Sequence, residues 1–119
     1  MNKVFRIEQI NKGMIHIILK GFFDSDSIIK FMYDLGTMVQ NLSNVKIYYD
    51  LIDFEGFSES AKSIFSLLLI QNSPYVNKEA IFGLNDKTNP LFKDIIDSAE
   101  RKNIKFFNNR DDALEWIKQ

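Results

Sequence analysis

The stretch Val45-Lys46-Ile47-Tyr48-Tyr49-Asp50-Leu51-Ile52-Asp53-Phe54-Glu55-Gly56-Phe57-Ser58 decides the fold of this chain. Val45, Ile47, Tyr49 and Leu51 alternate with Lys46, Tyr48 and Asp50, the two-residue period of a strand with one packed face and one partly wet face. An acidic-aromatic loop follows, and Ser58 then stands where a helix needs an N-cap. Glu55 and Glu59 flank that start, where the positive end of a helix favours carboxylates. A strand that runs through a short loop into a helix opens a βαβ unit, which builds a parallel sheet.

Upstream, Phe5, Ile7 and Gln9 share one strand face and Val4, Arg6 and Glu8 the other. Asn11-Lys12-Gly13 is a hairpin turn, and Met14 to Lys20 is a second strand, apolar on both faces and so central in a sheet. Gly21 lets the chain turn away. Asp24 to Ser27 supply caps for a long helix whose stripe is Ile28, Met32, Leu35, Val39 and Leu42.

Downstream, a second helix runs from about Ser58 to Gln71 and stops at Asn72-Ser73-Pro74. Glu79 to Leu84 reads as a fourth strand. Asn89 reads as the cap of a third helix, with Pro90 at its first position and Leu91, Phe92, Ile95, Ile96 and Ala99 facing inward. Ile104 and Phe106 mark a fifth strand, and Asn109 caps a last helix that buries Ala113, Leu114 and Ile117. The order β-β-α-β-α-β-α-β-α predicts an α/β fold: a mixed five-stranded sheet with an antiparallel edge strand. Helices are expected mainly on one face. Val4, Met14, His16, Ile18, Tyr48 and Phe107 are expected on or near a half-open second face.

Length and composition narrow the function. The 119 residues suit one compact domain, 1–119, that needs no staple to fold. Fifteen basic against sixteen acidic residues leave a net charge of −1, so no basic stripe is available for phosphates and nucleic acid is not an expected partner. The absence of cysteine removes disulfides and thiolate chemistry, and a single histidine removes multi-histidine metal sites, so neither metal nor cofactor is expected. The N-terminus alternates apolar and charged residues with no cleavage site, and the longest apolar run, Leu67 to Ile70, is too short to cross a bilayer. A cytoplasmic location is expected.

The element order, the segment Asp50-Leu51-x-Asp53-Phe54-Glu55-Gly56-Phe57 and the closing Ala113-Leu114-Glu115-Trp116-Ile117 resemble the SpoIIAA-like proteins, small members of the STAS superfamily often described as STAS/SEC14-type domains. The resemblance covers essentially the whole chain. It implies strands largely in sequential order and no enzymatic activity. Among relatives, anti-sigma-factor antagonists carry a phosphorylatable serine at the start of the helix after the third strand, and members nearer the SEC14-like side have been proposed to bind an apolar ligand. Carried over, the phospho-acceptor zone falls on Ser58 and Ser60. The antagonists typically show Asp-Ser-Ser-Gly there, whereas this chain shows Ser58-Glu59-Ser60-Ala61, and Glu59 sets a negative charge beside any added phosphate.

The second helix is the leading candidate site. Ala61, Ile64, Phe65, Leu67, Leu68 and Leu69 spread over more than half its circumference, wider than one-sided packing requires. With the flanking aromatics, Phe54, Phe57, Ile64, Phe65, Leu68 and Leu69 are expected to line a site for an apolar small molecule or lipid-type ligand. The alternative is a protein-interaction or regulatory STAS-type module seated through the same surface, with a homodimer as an option. Asp50, Asp53 and Glu55 crowd the carboxyl end of the third strand, but no nucleophile, partner histidine or phosphate loop accompanies them, so no catalytic residue is assigned. His16 reads as a buried neutral histidine, and Trp116 as a cover for the sheet edge with an interface role as alternative.

Overall fold

A computed structural model of the chain describes residues 4–119, so the reading of the first three residues lies outside it. The main sheet holds β1 (Phe5–Asn11), β2 (Met14–Leu19), β4 (Val45–Asp50), β6 (Val76–Phe82) and β7 (Ile104–Phe107), in the spatial order β1-β2-β4-β6-β7. β1 runs antiparallel to β2 and the remaining pairs are parallel. The connections are α1 (Ser25–Leu42), α2 (Glu59–Asn72) and α3 (Thr88–Ala99), and α4 (Arg110–Lys118) closes the chain. The expected mixed sheet with an antiparallel edge is therefore present.

Two strands stand outside it. β3 (Gly21–Phe23) and β5 (Phe54–Phe57) pair in parallel as a separate ribbon. The segment read as a loop is thus partly a strand. Its length hid it: three and four residues give too little alternation to register as a period. The Gly21 N–H donates to the Asp53 carbonyl at 2.8 Å, and the Ser58 N–H to the Phe23 carbonyl at 2.9 Å. Gly21, at φ 74°, supplies the sharp departure from β2 that this ribbon needs.

Other boundaries also move. β6 begins at Val76 rather than Glu79, because the turn at Ser73–Tyr75 delivers the chain straight into the sheet. It ends before Gly83, whose φ of 94° and close approach to Ile52 leave no room for a side chain. α3 starts at Thr88, and its first amides are satisfied by Asn85 rather than Asn89. The Asn85 Oδ1 accepts from the Lys87 N–H at 2.9 Å and the Thr88 N–H at 3.0 Å. Asp24, Ser58 and Asn109 cap α1, α2 and α4 through their side chains.

The principal core lies between the sheet and α1, α2 and α3. On the second face α4 packs Ala113 and Ile117 against Met14, Tyr48, Ala80 and Phe82, with Phe107, Leu114 and Trp116 at the margin. His16 stacks on Tyr48, ring centroids 4.3 Å apart. Val4, expected on this face, packs against the principal core instead. Trp116 lies 5.5 Å from Phe107 on the edge strand and 4.5 Å from the Lys78 ammonium.

One ion pair is buried among the described residues. The Arg101 Nη2 stands 2.8 Å from the Glu79 Oε2. The same guanidinium donates through Nη1 to the Leu69 carbonyl at 2.8 Å and through Nε to the Asn103 Oδ1 at 3.0 Å. Burial raises the Glu79 carboxyl above its ordinary value, with the Arg101 charge opposing the rise. Burial also drives the Tyr49 hydroxyl well above its ordinary value, and the Glu79 charge adds to that.

Removing one partner of such a pair strands the other charge. Arg101→Ala is expected to lower stability by about 3–5 kcal/mol, whereas the paired change Glu79→Met with Arg101→Met recovers most of that loss. Urea unfolding of the two variants beside the native chain measures both effects.

Candidate functional site

The start of α2 and the β3–β5 ribbon form the candidate site. Both lie where the chain leaves the carboxyl ends of β2 and β4, the end of an α/β sheet at which ligands and partners are met. Ser58 adopts an extended backbone, and its Oγ accepts from the Ala61 N–H at 3.1 Å. That hydroxyl is 3.3 Å from the Ser60 Oγ. Glu59 occupies the first helical turn, and Ser60 is exposed.

Beneath this surface five phenylalanine rings close the interior. Phe54 and Phe57 lie 4.8 Å apart, Phe57 and Phe65 5.2 Å, Phe54 and Phe92 5.2 Å, and Phe65 and Phe92 5.5 Å between centroids. Phe23 joins at 5.9 Å from Phe57. These are the separations of tilted and edge-to-face packing.

The structure brings the six expected ligand-lining residues together, as interior packing. Phe54, Phe65, Leu68 and Leu69 are buried, and Phe57 and Ile64 are partly buried against the same core. The principal surface grooves lie elsewhere, and of the six only Leu68 borders one, a shallow groove of about 350 Å³ between α1 and α2. The apolar girth of α2 is taken up by α1 on one flank and by α3 and the ribbon on the other. What remains on its surface is Leu67, 46 % exposed, and Ile70, 50 % exposed.

Two side chains at the site escaped the sequence reading. Phe22, 57 % exposed, lies over Gly56 on the ribbon, and Ile52, 61 % exposed, tops the turn after β4. The signal for Phe22 was its place between Gly21 and the buried Phe23 in a strand that alternates in and out. The carboxylates do not converge. The Asp50 Oδ1 accepts from the Ile52 N–H at 3.2 Å and so shapes the turn, while Asp53 and Glu55 point to solvent. No group of three or more potential metal ligands occurs among the described residues. None of their helices is long and apolar enough to cross a membrane.

His16 lies on the opposite sheet face. Its pKa falls below 6.5, chiefly through burial beside Tyr48, with Arg110 and Arg6 adding and Glu8 and Asp50 opposing. A histidine depressed in the folded state binds fewer protons there than when unfolded. The contribution of His16 to stability is therefore fully present above pH 6.5 and is lost as pH falls through the lowered folded value.

Two outcomes are expected from this geometry. Phe65→Ala opens a hole in the ring cluster and costs about 3–5 kcal/mol by chemical denaturation. His16→Gln flattens the part of the urea-midpoint profile that slopes below pH 6.5 in the native chain.

A protein-family model described as SpoIIAA-like matches residues 14–118. No curated protein matches the chain significantly. Among solved structures, an uncharacterized protein of the DUF3478 family from Shewanella loihica, with a SpoIIAA-like fold, superposes with a TM-score of 0.72 at 17% identity, covering 95% of this chain and 91% of the other. The unphosphorylated anti-sigma factor antagonist SpoIIAA gives 0.70 at 11% identity, over 96% of this chain and 97% of that one. The phosphorylated form of the Bacillus cell fate determinant SpoIIAA gives 0.67 at 11% identity, over 95% and 98%. At these identities the structures speak for the fold, and the family model, matched over most of the length, shows that the chain belongs to the SpoIIAA-like family.

Proposed function

We propose that the chain is a non-enzymatic regulatory module that binds a protein partner through the start of α2 and the β3–β5 ribbon beside it. The observation that carries this reading is the pairing of two exposed apolar side chains, Phe22 and Ile52, with a sealed aromatic block below. A surface stiffened from beneath loses little entropy when a partner covers it. The exposed acids Asp53, Glu55 and Glu59 belong to the same segments and favour a partner face carrying lysine or arginine. One of the similar structures is an anti-sigma factor antagonist, a regulatory protein on the same fold, and this supports the interaction reading over an apolar ligand.

The serines divide the work. The Ser58 hydroxyl is engaged in the cap, whereas Ser60 offers its hydroxyl to solvent at the rim of the surface. Ser60 thus presents the more accessible hydroxyl of the two at the rim of the proposed surface.

The test is capture from a lysate of the source cell by immobilised protein, with bound chains identified by mass spectrometry. A partner held by the native chain is expected to be lost with Phe22→Glu and Ile52→Glu combined and kept with Leu67→Glu and Ile70→Glu combined. The reverse pattern would refute the assignment of the surface. In parallel, Ser58→Ala is expected to cost about 0.5–2 kcal/mol by loss of the cap, and Ser60→Ala less than about 0.5 kcal/mol.

A further inference from the structure

β1 forms one margin of the main sheet, and no strand among the described residues pairs with its outer edge. A free edge presents unpaired amides and carbonyls to any strand that fits. Which residues present them follows from the pairing with β2. The Lys20 N–H donates to the Val4 carbonyl at 2.7 Å, and the register runs unshifted from Phe5 opposite Leu19 to Gln9 opposite Ile15. Val4, Arg6 and Glu8 therefore spend their backbone groups on β2, while Phe5, Ile7 and Gln9 direct theirs outward.

We propose that β1 pairs antiparallel with β1 of a second copy of the chain, about a two-fold axis through Ile7, and so joins the two sheets into one. Three observations fix the occupant and the register. In this alignment Ile7 opposes Ile7 and Phe5 opposes Gln9, so the residues with outward backbone groups meet one another and exchange hydrogen bonds in both directions. Arg6 then opposes Glu8 of the second copy on both sides of the axis. These are the non-hydrogen-bonded pairs, whose side chains approach most closely, and the charges there are opposite. Moving the axis one residue toward the N-terminus sets Arg6 against Arg6. Moving it one residue the other way sets Glu8 against Glu8. Of these three alignments, the one centred on Ile7 opposes unlike charges, and it also pairs more of the unshifted part of β1 than alignments centred farther along the strand.

The third observation is the surface flanking the edge. Phe5 and Ile7 are partly buried toward α1, Phe5 packing edge-on to Phe31 at 5.3 Å. A groove of about 760 Å³ runs along them, bounded by Val4, Tyr33 and Met38. Tyr33 is 72 % exposed. A second copy seated on β1 lays its own Phe5, Ile7 and Tyr33 beside this groove, as two-fold symmetry demands of a self-complementary contact. The surface is separate from the ribbon and α2 start, so the pairing stands or falls apart from the partner-binding reading.

Sedimentation equilibrium of the full chain over a concentration series, with circular dichroism to verify folding, tests the proposal. The native chain is expected to dimerise. Arg6→Glu alone and Glu8→Arg alone each place like charges in both cross-strand pairs and are expected to raise the dimer dissociation constant about tenfold or more. Mixing the two single variants restores opposite charges at both pairs, so the mixture is expected to form heterodimers with near-native affinity. A purely structural role for the Arg6–Glu8 ion pair within one strand predicts no such rescue on mixing. A native chain that stays monomeric throughout the series, or a dimer indifferent to the single swaps and to mixing, would overturn the proposal.

Discussion

Five phenylalanine rings meet where the ribbon, α2 and α3 converge, and their mutual packing is the constraint on which the rest of the molecule depends. Phe23 and Phe54 tie the two short strands to the core, Phe57 carries the chain into α2, and Phe65 and Phe92 bring α2 and α3 onto the same block. Short strands with few backbone bonds do not hold themselves; here ring packing holds them. The same block explains why α2 is so apolar. It is a central helix with neighbours on both flanks, so most of its wide apolar arc is covered within the chain, with Leu67 and Ile70 left at the surface.

A second constraint acts at the other end of α2. Arg101, just after α3, reaches across to the Leu69 carbonyl and to Glu79 on β6. One guanidinium thus connects two helix ends and a central strand. Its planar fork suits the task, since separate nitrogens address separate acceptors in fixed directions. A pair this deeply buried gains little net energy over an apolar substitute, and the contacts it makes link the ends of α2 and α3 to β6.

The exposed apolar surface follows from where these constraints leave apolar groups unused. The ribbon buries Phe23, Phe54 and Gly56 but leaves Phe22 outside, and the turn after β4 leaves Ile52 outside because Gly83 brings the chain close beneath it. On the other sheet face α4 covers β6, β7 and part of β4, whereas β1 keeps an open edge bearing one arginine and one glutamate. The exposed apolar groups of the fold thus lie at its margins, on surfaces backed by packed side chains.

Much of the fold was legible in the residues. The alternation from Val45 to Leu51, the doubly apolar Met14 to Leu19, and the caps at Asp24, Ser58 and Asn109 are local signals, and each reports local geometry directly. Family membership was legible for the same reason, since the acidic-aromatic segment and the closing helix are contiguous in sequence. The use of the apolar surplus on α2 was not legible. Periodicity says that a face is apolar without saying what covers it, and the covering groups Phe23, Phe31 and Phe92 come from distant parts of the chain. The Glu79–Arg101 pair, the short β3–β5 ribbon and the exposed Phe22 and Ile52 likewise exist only once separated segments are brought together. Sequence determined the elements and their order; tertiary packing decided which apolar groups were consumed inside and which were left exposed.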